Sequence, residues 1–154
     1  MSVLAWGKPK LETTPSVDGA PEASATWKEI DTPKEDTTQL NPSAGNEVEA
    51  TEEGGDLVDA RVGKNKSELV FDLFVKKGGK RPWDDNDGPV PGEHAIRLTP
   101  EDEECEGIQI DRCTIRCEES YTAADGKLLH YVCKVLKPKE GKMVKPYFKN
   151  APKN

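Results

Sequence analysis

Residues Ser67–Lys77, SELVFDLFVKK, are the one segment of the chain rich in residues that favour a pleated, half-buried surface. The two-residue period of a strand puts Leu69, Phe71, Leu73 and Val75 on one face. Val70 and Phe74 fall on the other, with Asp72 between them. A strand with one wet face alternates apolar and polar residues. This one is apolar on one side and mostly apolar on the other, so its second face calls for a cover. That cover is another sheet, a helix or another subunit. Two readings follow: an ordinary central sandwich strand, or a strand buried partly by copies of its own chain.

The rest of the composition bounds what such a strand can belong to. The chain has 154 residues, 34% hydrophobic and 33% charged, with 13 Gly and 12 Pro. That length suits one domain with flanking arms, and the Gly and Pro content puts many residues in turns, loops and extended segments. The core is therefore expected to be small. A net charge of −7 argues against adhesion to nucleic acid, which wants a basic face. No apolar run approaches the roughly 20 residues of a membrane span. The opening MSVLAWGKPK lacks the basic and apolar regions of a signal peptide. The expected setting is a cytoplasm, where the four Cys stay reduced.

Upstream of the central strand, Val3–Lys10 reads as a short strand or arm anchored by Trp6, and Leu11–Ala25 as a Thr/Pro/Ser/Gly loop. Trp27 and Ile30 mark an edge strand ended by Pro33. Asn41–Gly45 (NPSAG) is a turn signal. Glu47–Ala50 alternates as EVEA, Glu52–Asp56 (EEGGD) is a turn with unusual backbone freedom, and Leu57–Val62 resumes a strand. Gly63–Lys66 (GKNK) reads as a hairpin loop into the central strand.

Downstream, a long irregular connection runs to Glu93, and His94–Leu98 is a strand. Thr99-Pro100-Glu101-Asp102 has the signs of a helix start, with Thr as N-cap and acids in the first turn. Gly107 stops that helix after one or two turns. Ile108–Ser120 and Lys127–Leu136 form a hairpin around Ala124-Asp125-Gly126. Cys113, Ile115 and Cys117 share one face; Leu129, Tyr131, Cys133 and Val135 share another. These elements predict a mainly β chain with a long hairpin, one short helix and extended terminal arms. Residues 1–26 are the N-terminal arm and loop, 27–138 the domain, and 139–154 the C-terminal arm.

Site chemistry is sparse. Placing Gly88 of WDDNDG sixth in a calcium loop puts Trp83 first and His94 twelfth, neither of which fits. Cys105, Cys113, Cys117 and Cys133 lack the tight pair spacing of a zinc knuckle. His94 and His130 are the only imidazoles, and no nucleophile, phosphate-loop or dinucleotide motif accompanies them. No enzyme activity, cofactor or metal is expected. Charge is unevenly placed: acids dominate 46–59 and 101–119, lysines 137–153. Complementary contacts between copies would use that asymmetry. Isolated hairpins are marginal in water, so EVEATEEGGDLVDARV needs a partner surface. The expected assembly residues are Trp6, Glu47, Glu49, Gly54, Gly55, Asp56, Lys64, Lys66, Tyr147 and Phe148.

A spaced pattern runs through residues 27–138. It begins with Trp27, Thr32-Pro33 and Thr37–Leu40. The acidic Gly-rich Gly45–Gly55 and LVDARVGKNKSELVFDL follow, then Gly92–Glu101 (GEHAIRLTPE), Asp125-Gly126 and Leu136–Pro138. In that order the pieces resemble the major tail-tube proteins of tailed bacteriophages. The short helix and the cysteines depart from the family pattern. The resemblance implies a β-sandwich or partial barrel with a flanking helix, and rings of six copies whose sheets join into an inner barrel, with rings stacking into a tube. It implies self-association, contacts with other virion proteins, DNA only as non-specific cargo in the lumen, no membrane, and a place in the virion after assembly in the host cytoplasm. The alternatives are a capsid decoration or head–tail connector protein, a non-enzymatic β-sandwich binding module, and last a redox or zinc protein built on the cysteines.

Overall fold

In the computed structural model, which describes residues 3–150, the central segment forms β7 (Lys66–Phe74). Leu69, Phe71 and Leu73 are buried there. Val75 makes a last ladder bond to the Lys127 carbonyl. Its side chain is 45% exposed, because it lies beyond the packed core at the strand's end, and the expected core loses it. Antiparallel to β7 lies β10 (Gly126–Val135), and beyond it β9 (Gly107–Thr122). These two are the hairpin expected around Asp125-Gly126. β8 (His94–Thr99) pairs with β9, and β1 (Lys10–Val17) with β8. The short β2 (Ala20–Pro21) and β3 (Lys28–Glu29) pair with β1, and β11 (Lys145–Tyr147) with β9. β4 (Gln39–Ser43) takes the other side of β7. The main sheet, in the order β2-β1-β8-β9-β10-β7-β4, curls into a half-barrel. β5 (Glu47–Thr51) and β6 (Leu57–Val62) form a separate two-stranded sheet. The protein is all-β, and of the two architectures expected the partial barrel is the one realised.

The concave face is packed in rows set by register. Phe71 lies opposite Tyr131, and Tyr131 opposite Cys117. The ring centroids of Phe71 and Tyr131 are 5.6 Å apart, and Trp83 meets Tyr131 edge-on at 5.2 Å. Such pairs are worth about 0.5–1.5 kcal/mol beyond the area they bury. Trp83 comes from the long connection between β7 and β8. That connection hydrogen-bonds along the edge of β9 that β8 leaves open: the Val90 N–H donates to Ile115 O at 3.0 Å, and the Cys117 N–H to Gly88 O at 2.8 Å. It thereby lays Trp83 and Val90 over the core, and the Tyr131 hydroxyl donates to the Trp83 carbonyl at 3.3 Å. On the Leu69, Phe71 and Leu73 face, β7 is covered by a loop. Its opposite face stays half open, with Val70 half-buried and Phe74 38% exposed.

Four expectations are corrected. Leu11–Ala25 is not a loop throughout: β1 pairs with β8 from Lys10↔Thr99 to Pro15↔His94, burying Leu11, Thr13 and Thr14. Threonine suits a pleated surface, and the distant partner strand overrides the Pro/Ser/Gly signal. The arm assigned to 1–26 thus contributes β1 and β2 to the sheet; its residues 1–2, and 151–154 of the C-terminal arm, lie outside the described residues. Asn41-Pro42-Ser43 continues β4 instead of turning, at an edge strand where proline is tolerated.

GKNK does not close a hairpin. Ser43 pairs with Lys66, and the Gly63 N–H donates to Asn46 O at 2.8 Å. The segments 39–51 and 57–70 therefore run as one antiparallel ribbon, pinched at a waist around Gly45 and Gly63. A Cβ on Gly45 would lie 2.1 Å from the Lys64 carbonyl oxygen, so the waist needs glycine. The short helix after Thr99 is also absent: no helix forms among the described residues. Leu98 pairs with Ile108, and a Cβ on Gly107 would lie 2.1 Å from Leu98 O, so Gly107 opens β9 against β8 and residues 100–106 form turns between the two strands. The acids serve a loop instead. Asp102 accepts the Glu104 N–H on its carboxylate at 3.1 Å and the Cys105 N–H on its carbonyl at 3.0 Å.

Candidate assembly surface

Among the described residues the β5–β6 hairpin touches no other strand. Its turn is closed by the Glu52 N–H on Asp56 O at 2.9 Å and the Gly55 N–H on Glu52 O at 3.1 Å. Gly54 and Gly55 have φ of +98° and +92°, the left-handed region where a side chain is strained. Every residue of both strands is exposed, including Val48 at 65% and Val62 at 74%. The register Glu47↔Val62 and Glu49↔Ala60 sets two rails on one face: acids from β5 beside Ala60 and Val62 from β6, with Val58 at the register shift beyond them. Glu47, Glu49, Glu52, Glu53, Asp56 and Asp59 outnumber the single base Arg61. None of the seven takes part in an ion pair among the described residues. A prong of this kind presents charge and apolar area that the chain itself leaves unused.

The ten sequence-predicted residues do not form one site. Glu47, Glu49, Gly54, Gly55 and Asp56 lie on the hairpin, and Lys64 and Lys66 at its waist. Trp6, 67% exposed, stands elsewhere. Its carbonyl accepts the Glu101 N–H at 3.3 Å, and it lines a groove of about 770 Å3 floored by Leu40, Leu69, Leu98 and Ile108. Tyr147 lies on β11 against the Arg97 guanidinium, 5.0 Å from its ring centroid, and Phe148 is 42% exposed beside it. Arg97 also stacks over Trp27 at 4.2 Å and pairs with Glu12 at 3.3 Å. The C-terminal aromatic Tyr147 is therefore tied to its own chain.

A further surface escaped the sequence reading. At the C-terminal end of β7, Phe74 and Val75 are partly exposed, and Lys76, Lys77 and Lys80 are exposed and make no ion pair among the described residues. The neighbouring cations are held. Arg81 pairs with Glu119 and Asp85, Lys127 with Glu119, and Lys34 with Asp125. The signal was present in KKGGKR, a basic run directly after a strand whose other end carries an acidic hairpin.

The titratable groups of the core are occupied in packing. The His94 ring lies 5.7 Å from Trp83, and His130 Nδ1 is 2.5 Å from Asp72 Oδ1. Cys113, Cys117 and Cys133 are buried on the concave face. Burial pushes the Cys117 thiol up to about 11, and burial together with a hydrogen bond to Cys113 pushes Cys133 well above the ordinary thiol range. Asp85 of the acidic loop accepts the Gly88 N–H at 2.9 Å. Among the described residues no group of three or more His, Cys, Asp or Glu side chains is arranged to hold a metal ion. No family model and no curated protein matches this chain.

Proposed function

We propose that this chain is a virion structural protein that self-assembles into stacked rings, forming a phage tail tube through which DNA passes. The observation that carries the reading is the β5–β6 hairpin, a ribbon exposed along its whole length with Val48, Leu57, Val58 and Val62 uncovered. A lone two-stranded ribbon is marginal in water, and a partner copy would supply what it lacks. The half-barrel adds support. Its outermost strands, β4 and β2, have free edges, and pairing such edges between copies would satisfy backbone groups that otherwise invite aggregation. The partly uncovered outer face of β7, with Phe74, fits burial between subunits. The acid excess fits a lumen that repels phosphate, so that DNA slides as cargo. The role is structural and non-catalytic, the rings hold six copies that stack, the neighbours are other virion proteins, and assembly takes place in the host cytoplasm.

Electron microscopy of the purified full chain in negative stain, with sedimentation velocity, tests this. Rings of uniform diameter and tubes built from them are expected. A protein that sediments as a monomer at high concentration would overturn the proposal. It would favour a binding module instead, for which the apolar groove beside Trp6 is the specific support.

A further inference from the structure

We infer that the receptor for the hairpin of one copy is the Lys76–Lys80 loop of the next. The inference rests on the stacking proposed above and adds where on the neighbour the prong lands. β7 connects the two features. Its N-terminal residue, Lys66, pairs with Ser43 at the root of the hairpin, and its C-terminal residue, Phe74, leads directly into the lysine loop. Nine residues of strand hold the two ends roughly 30 Å apart. The ribbon continues the β4–β7 ladder outward from the first end, so its tip points away from the second. One pole thus carries an acidic prong and the other a basic rim.

Both features have unused charge of opposite sign. The hairpin acids make no ion pair among the described residues, and neither do Lys76, Lys77 and Lys80, whereas the cations around that loop are already engaged. The apolar parts match as well. The hairpin sets Val58 and Val62 beside its acids; the loop sets Phe74 and Val75, 38% and 45% exposed, beside its lysines. Nothing lies within 4 Å of an added Cβ at Gly54, Gly55 or Gly78, so both tips are sterically open. A second cluster of lysines outside any ion pair among the described residues, Lys137, Lys139 and Lys142, follows the end of β10 and lies at the hairpin's own pole, since Lys134 is in register with Glu68 near the start of β7. In a head-to-tail stack that pole faces away from the incoming prong. A contact between two different patches of the same molecule, placed at opposite poles so that its rotation closes no ring, builds an open array.

The test compares the full chain with three variants by sedimentation and negative stain. Lys76→Glu/Lys77→Glu/Lys80→Glu should raise the concentration needed for stacking at least about tenfold, because like charges would meet. The same substitutions at Lys137, Lys139 and Lys142 should not weaken stacking. Adding Glu52→Lys/Glu53→Lys/Asp56→Lys to the loop variant should restore it, which a misfolded variant could not do. Tubes that form equally well from the loop variant, or a swapped variant that fails to recover, would overturn the receptor while leaving the tube reading intact. Loss of stacking in the Lys137/Lys139/Lys142 variant alone would move the receptor to the other pole and overturn the inference. A wild-type chain that does not assemble would overturn both.

Discussion

β7 and the β5–β6 hairpin are neighbours in one continuous ribbon, and each strand carries apolar residues at every second position, yet they end in opposite environments. Leu69, Phe71 and Leu73 are at most 3% exposed, whereas Val58 and Val62 are 54% and 74% exposed. The difference is not in the strands but in what lies across from them. β7 has β10 and β4 on its flanks and Trp83 over its face; the hairpin has only itself. Alternation specifies that a strand has a face to bury. It does not specify whether the same chain supplies the partner. In this protein the first region carries the stability and the second is left available for interaction.

Three measurements would break or sharpen that contrast. The largest effect is expected at Phe71, which has no exposed surface and touches both Trp83 and Tyr131. Phe71→Ala should cost about 3–5 kcal/mol in chemical denaturation, and an unchanged midpoint would mean that β7 is not the centre of the core.

An intermediate effect is expected from acid. The side-chain hydrogen bond from Arg81 holds the Glu119 carboxyl below the ordinary value of 4.5, and that from Arg112 does the same for Glu93. A lowered folded-state value means that the stabilisation is complete above pH 4.5 and is lost as the pH falls through the folded value. Both pairs tie the ends of the 81–93 connection to β9. The protection of amides in that connection, taken relative to the intrinsic exchange rate at each pH, should therefore fall below pH 4.5 while β7 and β10 stay protected. Uniform loss of protection would tie the loop and the core into one cooperative unit.

The smallest effect is expected at the hairpin. Val58→Thr/Val62→Thr should change the stability of the single chain by no more than about 0.5 kcal/mol, as exposed positions do. A larger loss measured on the unassembled chain would show that the hairpin packs on its own domain.

Much of the architecture was legible in residue order because it rests on local rules. The period of two marked β7, β8 and the β9–β10 pair. Asp125-Gly126 marked their turn, where Gly126 has φ +74°, and Gly54-Gly55 marked the hairpin tip. The candidate surface was half legible. Its acidic prong was visible as EVEATEEGGD, but Lys76 and Lys77 read as the end of the central strand and Lys80 as part of the connection after it, because residue order does not say which charges the folded chain leaves without a partner.

What residue order determined, then, was which short segments extend, which faces they bury and where they turn, since steric preference and alternation act between near neighbours. Pairing between distant segments decided the rest. It made a strand of the Thr-rich 10–17, set Leu98 against Ile108 where a helix had been expected, and laid Trp83 over Phe71 and Tyr131. Those outcomes depend on ladder bonds and apolar contacts between residues far apart in the chain, whose combined energy exceeds the local preferences they override.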